Sequence, residues 1–401
     1  MNPMLPIDMF IPDGEAHVMP DGRLYLYGSL DLKDGNSYCS ERYHVFSTDD
    51  MVNWVDHGES FRIDDGMLYA PDCIHKDGKY YLYYCTAGNG EYTAVSDSPA
   101  GPFVDPQPME IANGDSIDPA IFVDDDGQAY YFWGQFSLKG ARLNPDMRSI
   151  DPATVTENII TEEHHGFHEG ASIRKRGDTY YLVYTDISRG RATCLGYATS
   201  KSPLGPYKKG GVIIDNTFCD PQSWNDHGSI EEYKGQWYVF YHRSSRNGNV
   251  CRRACCEKIY FDENGCIAEV EMTSQGAGAP LNAFEKTMAY LACRMRGGAY
   301  ICTDEETQER LTHCGGPRFW PGWAEYKYLD FGSGTKKVRL ETKGKGTIRV
   351  RQEDRTVFAD VNVDLDDYAV LETECVLPGG VHGLWLFFEG EGMDVRWVQF
   401  E

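Results

Sequence analysis

Three features of this 401-residue sequence predict an all-β protein, a five-bladed β-propeller followed by a β-sandwich of the jelly-roll kind. An aromatic hairpin phrase recurs five times, an acidic or imidazole side chain precedes it each time, and the texture of the chain changes after a Gly, Ala and Pro stretch near residue 275.

The phrase is a Gly, one or two polar residues, then a run of aromatic and aliphatic side chains: GRLYLYGS from Gly22, GKYYLYYC from Gly78, GQAYYFWG from Gly127, GDTYYLVYT from Gly177 and GQWYVFYH from Gly235. Aromatic and β-branched residues suit a strand, and turns such as Pro20-Asp21-Gly22 and Asp125-Asp126-Gly127 mark hairpin tips. The separations are 56, 49, 50 and 58 residues. Units of about 50 residues with four strands each are propeller blades, and five units give five blades. A second phrase, VSDSPAGPF from Val95 and TSKSPLGPY from Thr199, with STDDMVNW from Ser47 as a looser relative, recurs out of phase with the first. An open sandwich has no need of one hairpin phrase five times.

The innermost strand of each blade lines a shared central funnel, so polar residues at its entrance converge. Reading back from each hairpin Gly, the first such residues are Asp13, Asp72, Asp118, Glu169 and His227, at offsets of 9, 6, 9, 8 and 8 residues. Singly, each has an ordinary structural explanation: a turn, a solvated charge, a buried histidine. Together, carboxylates on one axis cannot all ionise cheaply, and the resulting separation of pKa values supplies an acid and a base. Two opposed carboxyl groups are the equipment of glycoside hydrolysis, and groups on different blades favour the wider spacing that accompanies inversion.

The balance of 38 basic against 62 acidic residues, a formal charge of −24, repels nucleic acid and anionic membranes and suits a neutral substrate such as an oligosaccharide. No apolar stretch is long enough to cross a membrane, and MNPMLPIDMF lacks the basic start and apolar run of a signal peptide, so a cytoplasmic location is expected. Thirteen Cys, many inside strand-like runs, predict free buried thiols rather than a disulfide framework. Cys251, Cys255 and Cys256 lack the paired spacing of a zinc site.

In order, phase and spacing these segments resemble glycoside hydrolase family 43, over about residues 1–275. The opening NPMLPIDMFIPDGEAHV is similar to the motif whose Asp activates water, which makes Asp13 the general base. SIDPAIFVDDDG is similar to the motif whose Asp holds the acid and raises its pKa, here Asp118, and EGASI matches the motif of the general acid, here Glu169. NDHGSI with YVFYHR resembles the last blade, where a His near the axis accompanies a calcium or sodium ion, here His227. One departure is Gly14, where the family has Pro after the base; Asp8 is a second carboxylate upstream, but its phase does not match. For the sugar, Asp31, Tyr69, Trp133, His242 and Arg243 are the expected binding residues, because a pocket needs stacking surfaces and partners for hydroxyls.

Beyond the linker MTSQGAGAPLN, residues 281–401 alternate polar and apolar positions, as in KKVRLETKGKGTIRVRQ and MDVRWVQF. WAEYKYLDFGSG and GVHGLWLFFEG resemble a carbohydrate-binding module of family 6, which would use Glu285 and Asp394 for a structural calcium and Trp323 and Tyr326 for sugar stacking. A packed structural domain is the alternative.

The resemblance implies an inverting exo-glycosidase that removes terminal α-L-arabinofuranosyl or β-D-xylosyl units from plant oligosaccharides and needs no cofactor for its chemistry. A galactose-directed glycosidase (galactofuranosidase or galactanase type) and a non-catalytic sugar-binding propeller are the alternatives. The full set of Asp13, Asp118 and Glu169 argues against the second.

Overall fold

The computed structural model describes residues 1–88, 90–111, 116–303, 309–315, 322–352 and 356–401. Five antiparallel sheets surround an axis. Blade 1 holds β1 (Glu15–Val18), β2 (Leu24–Tyr27), β3 (Arg42–Thr48) and β4 (Trp54–Arg62); blade 2 holds β5 (Leu68–Lys76), β6 (Lys79–Thr86), β7 (Gly90–Ser96) and β8 (Val104–Pro108). Blade 3 holds β9 (Ala120–Val123), β10 (Ala129–Trp133) and β11 (Lys139–Arg142), and blade 4 β12 (Phe167–Arg176), β13 (Thr179–Asp186), β14 (Cys194–Ser200) and β15 (Lys208–Asp215). Blade 5 holds β16 (Ser229–Tyr233), β17 (Gln236–Ser244) and β18 (Arg252–Ile259). The first strands, β1, β5, β9, β12 and β16, touch one another around the ring.

Each aromatic phrase forms the second strand of its blade, and both of its faces are buried between neighbours. On β2, Leu24 and Leu26 pack with Phe240 of blade 5, while Tyr25 and Tyr27 pack with Leu82 and Tyr84 of blade 2. On β13, Leu182 and Tyr184 meet Phe132 of blade 3, while Tyr181 and Val183 meet Val239 and Tyr241 of blade 5. A strand covered on both faces reads as a continuous apolar run, which explains why these segments do not alternate.

The ring closes through the start of the chain. Asn2 donates from Nδ2 to the Cys256 carbonyl and accepts from the Cys256 N–H, each at 3.0 Å, and the Met4 N–H donates to the Ala254 carbonyl, also at 3.0 Å. Residues 2–4 thus lie along β18, the outermost named strand of blade 5.

The remaining chain forms one nine-stranded sheet: β19 (Leu281–Asn282), β20 (Thr287–Met288), β21 (Arg294–Arg296), β22 (Ala299–Thr303), β23 (Glu309–His313), β24 (Gly322–Asp330), β25 (Lys337–Arg351), β26 (Val357–Glu374) and β27 (Val381–Phe400). Its last three strands run 15, 18 and 20 residues, long enough for strand twist to roll the sheet into a sandwich-like half-barrel around Leu340, Val350, Leu386 and Phe388. It is fastened to the propeller by a buried ion pair between Arg253 and Glu309, by the Arg246 N–H on the Ile301 carbonyl (2.7 Å), and by Lys327 on Glu271 (3.0 Å).

Candidate active site

Four of the five phase-matched residues meet in one cavity of about 370 Å³, walled also by Tyr38, Tyr69, Gln135 and Arg252. Asp13, Asp118 and His227 stand just ahead of β1, β9 and β16, and Glu169 lies near the start of β12. Asp72 does not join them. Its shorter offset puts it deeper along β5, where it accepts from His17 Nε2 at 2.7 Å and from the Ile121 N–H at 2.8 Å.

Unusual backbone aims these side chains. Asp13 and Asp118 have φ of 57° and 54°, a left-handed conformation that Asp tolerates better than most residues but that still costs energy. The register of β12 against β13 shifts on both sides of Glu169, and such bulges redirect a side chain out of the ladder. Gly170 follows because the His227 ring lies where a Cβ would sit, 2.9 Å away, and Gly228 because the Phe240 carbonyl would lie 1.9 Å from one. The pairs Glu-Gly and His-Gly are therefore packing requirements of the funnel floor.

Asp13 is the charged member. Burial works to raise its pKa, but the Arg252 guanidinium, then His227 and His242, then the Ser29 hydroxyl outweigh it and hold the carboxyl below the usual range. Arg252 Nη1 donates to Asp13 Oδ1 at 2.9 Å, and Ser29 Oγ donates to Oδ2 at 2.7 Å. Asp118 is the opposite case: burial, followed by the charges of Glu169 and Asp13, pushes it well above the carboxylate range. Asp118 therefore retains a proton under conditions that ionise Asp13. Glu169 accepts from Gln135 Nε2 at 2.7 Å. His227 Nδ1 lies 3.8 Å from Asp13 and 4.0 Å from Asp118, and burial lowers its pKa against the pull of Asp13 and Glu169, which favours the neutral ring. An ionised carboxylate beside a proton-holding carboxyl in an open cavity is fitted for general acid–base chemistry.

Of the expected sugar-binding residues, only Tyr69 is on the cavity wall. Asp31 is buried and clamps Arg252, accepting from Nε and Nη2 at 3.0 Å each, so it orients the arginine instead of meeting a ligand. Trp133 is wholly buried between blades 2 and 3 beside Tyr131, because alternation along β10 turns it sideways into the interblade core. His242 is also wholly buried; its Nε2 donates to the Asn225 carbonyl at 3.0 Å and its Nδ1 lies 3.7 Å from Asp13, behind the carboxylate. Arg243, next along β17, projects away from the funnel, with Nη2 on the Tyr241 hydroxyl at 2.9 Å and on the Thr273 carbonyl. Arg252 was not anticipated. Two adjacent arginines inside the strand-like segment NVCRRACC were the available signal, since a buried guanidinium demands carboxylate partners.

Among the described residues, neither expected calcium arrangement has a matching set of protein ligands. Glu285 is exposed and meets only the Asn282 amide, whereas Asp394 is neutralised by Arg310 at 3.0 Å and Lys343 at 3.7 Å; the two carboxylates do not form a common site. Tyr326 is buried, its hydroxyl on the Ala289 carbonyl, and the Trp323 ring is packed against Trp385. On the axis, His227 offers one nitrogen, and its near carboxylates are Asp13 and Asp118, so an oxygen-loving ion there would be held mainly by water. Among the described residues the one cluster with ligand spacing is Glu15, His17 and Asp72, deeper in the channel. Arg174 already supplies positive charge there, its Nη2 lying 2.7 Å from Glu15 and 3.5 Å from His17, and a divalent ion does not fit beside it.

Proteins of known activity resemble this chain in sequence and in fold. The sequence model for glycosyl hydrolases family 43 matches residues 2–267. A xylosidase/arabinosidase of Thermoclostridium stercorarium is 31% identical over 98% of this chain and 96% of its own. Among solved structures, a family 43 β-xylosidase/α-arabinofuranosidase from a compost microbial metagenome, in complex with xylotriose in a calcium-free form, is 31% identical with a TM-score of 0.58, covering 67% of this chain and 97% of that one. A family 43 arabinoxylan arabinofuranohydrolase of Bacillus subtilis, solved with cellotetraose, is similar in fold across 100% of this chain and 97% of its own, with 24% identity and a TM-score of 0.59. The chain belongs to glycosyl hydrolase family 43.

Proposed function

We propose that this enzyme is an inverting exo-glycosidase that removes β-D-xylosyl or α-L-arabinofuranosyl units from the ends or side branches of xylan-derived oligosaccharides. The observation that carries the mechanism is the division of labour among its carboxyls: Asp13 is held ionised by Arg252, while Asp118, in the same cavity as Glu169, holds a proton. The sugars follow from the xylosidase/arabinosidase relatives. Asp13 takes a proton from a water molecule, the water oxygen bonds to the anomeric carbon, and the glycosidic bond breaks as Glu169 protonates the departing oxygen. Asp118 acts on the acid as a neighbouring carboxyl that tunes its proton affinity, and after the bond breaks Asp13 gives its proton to solvent while Glu169 takes one from it, which restores both groups. No metal is needed in these steps. Thirteen unpaired thiols support a reducing, cytoplasmic setting and a diet of imported oligomers. The second domain serves as a brace, as its buried Arg253–Glu309 attachment suggests.

The test is hydrolysis of aryl β-D-xyloside, α-L-arabinofuranoside, β-D-galactofuranoside and β-D-galactoside, with Asp13→Ala as the control. Turnover of either of the first two, lost in the variant, is expected. Selective turnover of a galactoside would replace the sugar assignment. Proton NMR of the first-formed product from a β-xyloside should show α-xylose; β-xylose formed first would overturn inversion.

A further inference from the structure

The two adjacent arginines of β18 point to opposite sides of their strand, as consecutive strand residues do. Arg252 faces Asp13, whereas Arg253 leaves the funnel and crosses to the second domain, where it meets Glu309 of β23. Both members of that pair are buried, and the Thr303 hydroxyl of β22 donates to the same Glu309 oxygen, Oε1. A buried, directional ion pair fixes the position of what carries it, because displacement leaves a charge uncompensated. On its way Arg253 lies over the Phe10 ring, its guanidinium carbon 4.3 Å from the centroid. The Phe10 carbonyl accepts from the Asp31 N–H at 2.9 Å, and Asp31 is the carboxylate that clamps Arg252. The arginine anchored in the second domain thus packs behind the contact that aims its neighbour.

The turn that joins β17 to β18, residues 245–251, is held from several sides. Its Arg246 N–H donates to the Ile301 carbonyl of the second domain at 2.7 Å, and its Asn247 N–H to Asp220 Oδ2 at 2.9 Å. Within the turn, Ser245 Oγ donates to the Cys251 carbonyl at 2.7 Å. Arg246 and Asn247 have φ of 64° and 53°, a left-handed backbone that persists where its surroundings over-determine it. From the same turn Asn249 Nδ2 donates to the Tyr38 hydroxyl at 2.9 Å. Tyr38 is part of the cavity wall, and its ring covers the Arg252 guanidinium, with the guanidinium carbon 4.6 Å from the ring centroid. The second domain therefore grips this hairpin at its turn and on its return strand, and the same hairpin supplies Arg252 and supports Tyr38.

We propose that the second domain is a positioning part of the active site: Glu309 and the Ile301 carbonyl hold the β17–β18 hairpin so that Arg252 lies against Asp13 and Tyr38 closes over the guanidinium. This role rests on the glycosidase function proposed above, with Asp13 as its base. Positioning and the direct field of the Glu309 charge have opposite signs. Deleting that negative charge from an unmoved structure favours ionised Asp13 and carries the acid limb of kcat/KM to lower pH, whereas loosening Arg252 weakens the support of the carboxylate and carries the limb to higher pH.

The experiment reads that limb on an aryl glycoside for full-length Glu309→Ala, Glu309→Gln, Arg252→Gln and the double variant Arg252→Gln/Glu309→Ala, with thermal denaturation to confirm that each is folded. Glu309→Ala should raise the limb by about half a pH unit or more. Glu309→Gln, which can still accept from Arg253, should stay near the wild-type limb. In the double variant the Ala change should add nothing to the shift of Arg252→Gln, because Glu309 acts through the residue already removed. A limb that stays or falls in Glu309→Ala overturns the proposal, and so does a full additional shift in the double variant. If Glu309→Ala does not fold, Arg253→Met/Glu309→Leu, which strands no charge, takes its place: a raised limb is again expected, and a wild-type limb overturns the proposal. A limb that Arg252→Gln leaves in place would instead remove Arg252 from control of the base, and a wild-type enzyme inactive on every aryl glycoside would remove the glycosidase function; either takes the positioning role with it.

Discussion

Arg252 is where the chemistry of the base is decided. Asp13 is nearly inaccessible, and burial alone would favour its protonation; the guanidinium 2.9 Å away reverses that preference. A carboxyl with a depressed pKa serves as a base above that pKa and stops as the pH falls through it, so the acid limb of kcat/KM should lie below the ordinary carboxylate range. Arg252→Gln removes the compensating charge and should move that limb to higher pH, while Arg252→Lys should leave the limb nearly in place and lower kcat, because a lysine cannot hold Asp31 and Asp13 at once. A pH profile of the three proteins decides the matter; an acid limb indifferent to Gln would remove Arg252 from control of the base. At the other limb, Asp118 is the carboxyl that burial and the neighbouring charges of Glu169 and Asp13 hold protonated well above the usual range, so Asp118→Asn removes that titrating group and should alter the alkaline limb, whereas an unchanged limb would take Asp118 out of it. The carboxyls themselves were legible from their phase relative to the hairpin glycines. Arg252, Asp31 and His242 were not sorted correctly, because sequence phase locates a residue along a strand and does not say which buried charge faces it.

The individual strands show what the hairpin phrase means and where it misleads. Its aromatic residues were recognisable because a strand buried on both faces has no polar position to interrupt the run. That same property hid the fate of Trp133: neighbours along β10 face different blades, and an aromatic residue at the end of the run looked like a pocket wall when it was interblade core. Asp72 shows the converse error, since two or three residues of offset along an inner strand separate the cavity from the channel beneath it. The bulge at Glu169 and the close approach of Gly170 to His227 are features of the element as a whole. Gly170→Ala, at φ 67° with a Cβ 2.9 Å from the imidazole, should cost about 1–3 kcal/mol in stability and displace both Glu169 and His227. Chemical denaturation with parallel kinetics checks this, and a fully active variant of unchanged midpoint would show that the ring yields without consequence.

For the molecule as a whole, the channel under the active site is a buried ionic assembly that joins blades. Arg174 of blade 4 reaches Glu15 of blade 1 and Glu231 of blade 5, at 2.7 Å each. Removing one partner from such a group strands the others, so Arg174→Met should destabilise the propeller by about 3–5 kcal/mol, seen as a lowered Tm in calorimetry at pH 7.5. Burial raises Glu15 to about 7 against the pull of Arg174. A carboxyl raised in the folded state binds protons more tightly there than when unfolded, so its contribution to stability is greatest below the unfolded pKa and is lost as the pH climbs to about 7. The Tm loss in Arg174→Met should accordingly be smaller at pH 5. Blade number was readable at this scale because each blade repeats one phrase. The curled second domain was legible as alternating strands, but its supposed calcium ligands were not, since Asp394 faces arginine and lysine contributed by distant parts of the chain.

The start of the chain has a place in the timing of folding. Asn2 and Cys256 are 254 positions apart, so the seam between the first and last blades is among the most non-local contacts a chain of this length makes, and such contacts form late. A nascent chain that has finished four blades still has an open ring, and the latch can engage only after β18 has emerged. That strand also carries Arg252, four residues before Cys256. The step that shuts the ring is thus the step that delivers the guanidinium to Asp13, and an incompletely closed molecule would lack a competent base however well its other blades were formed.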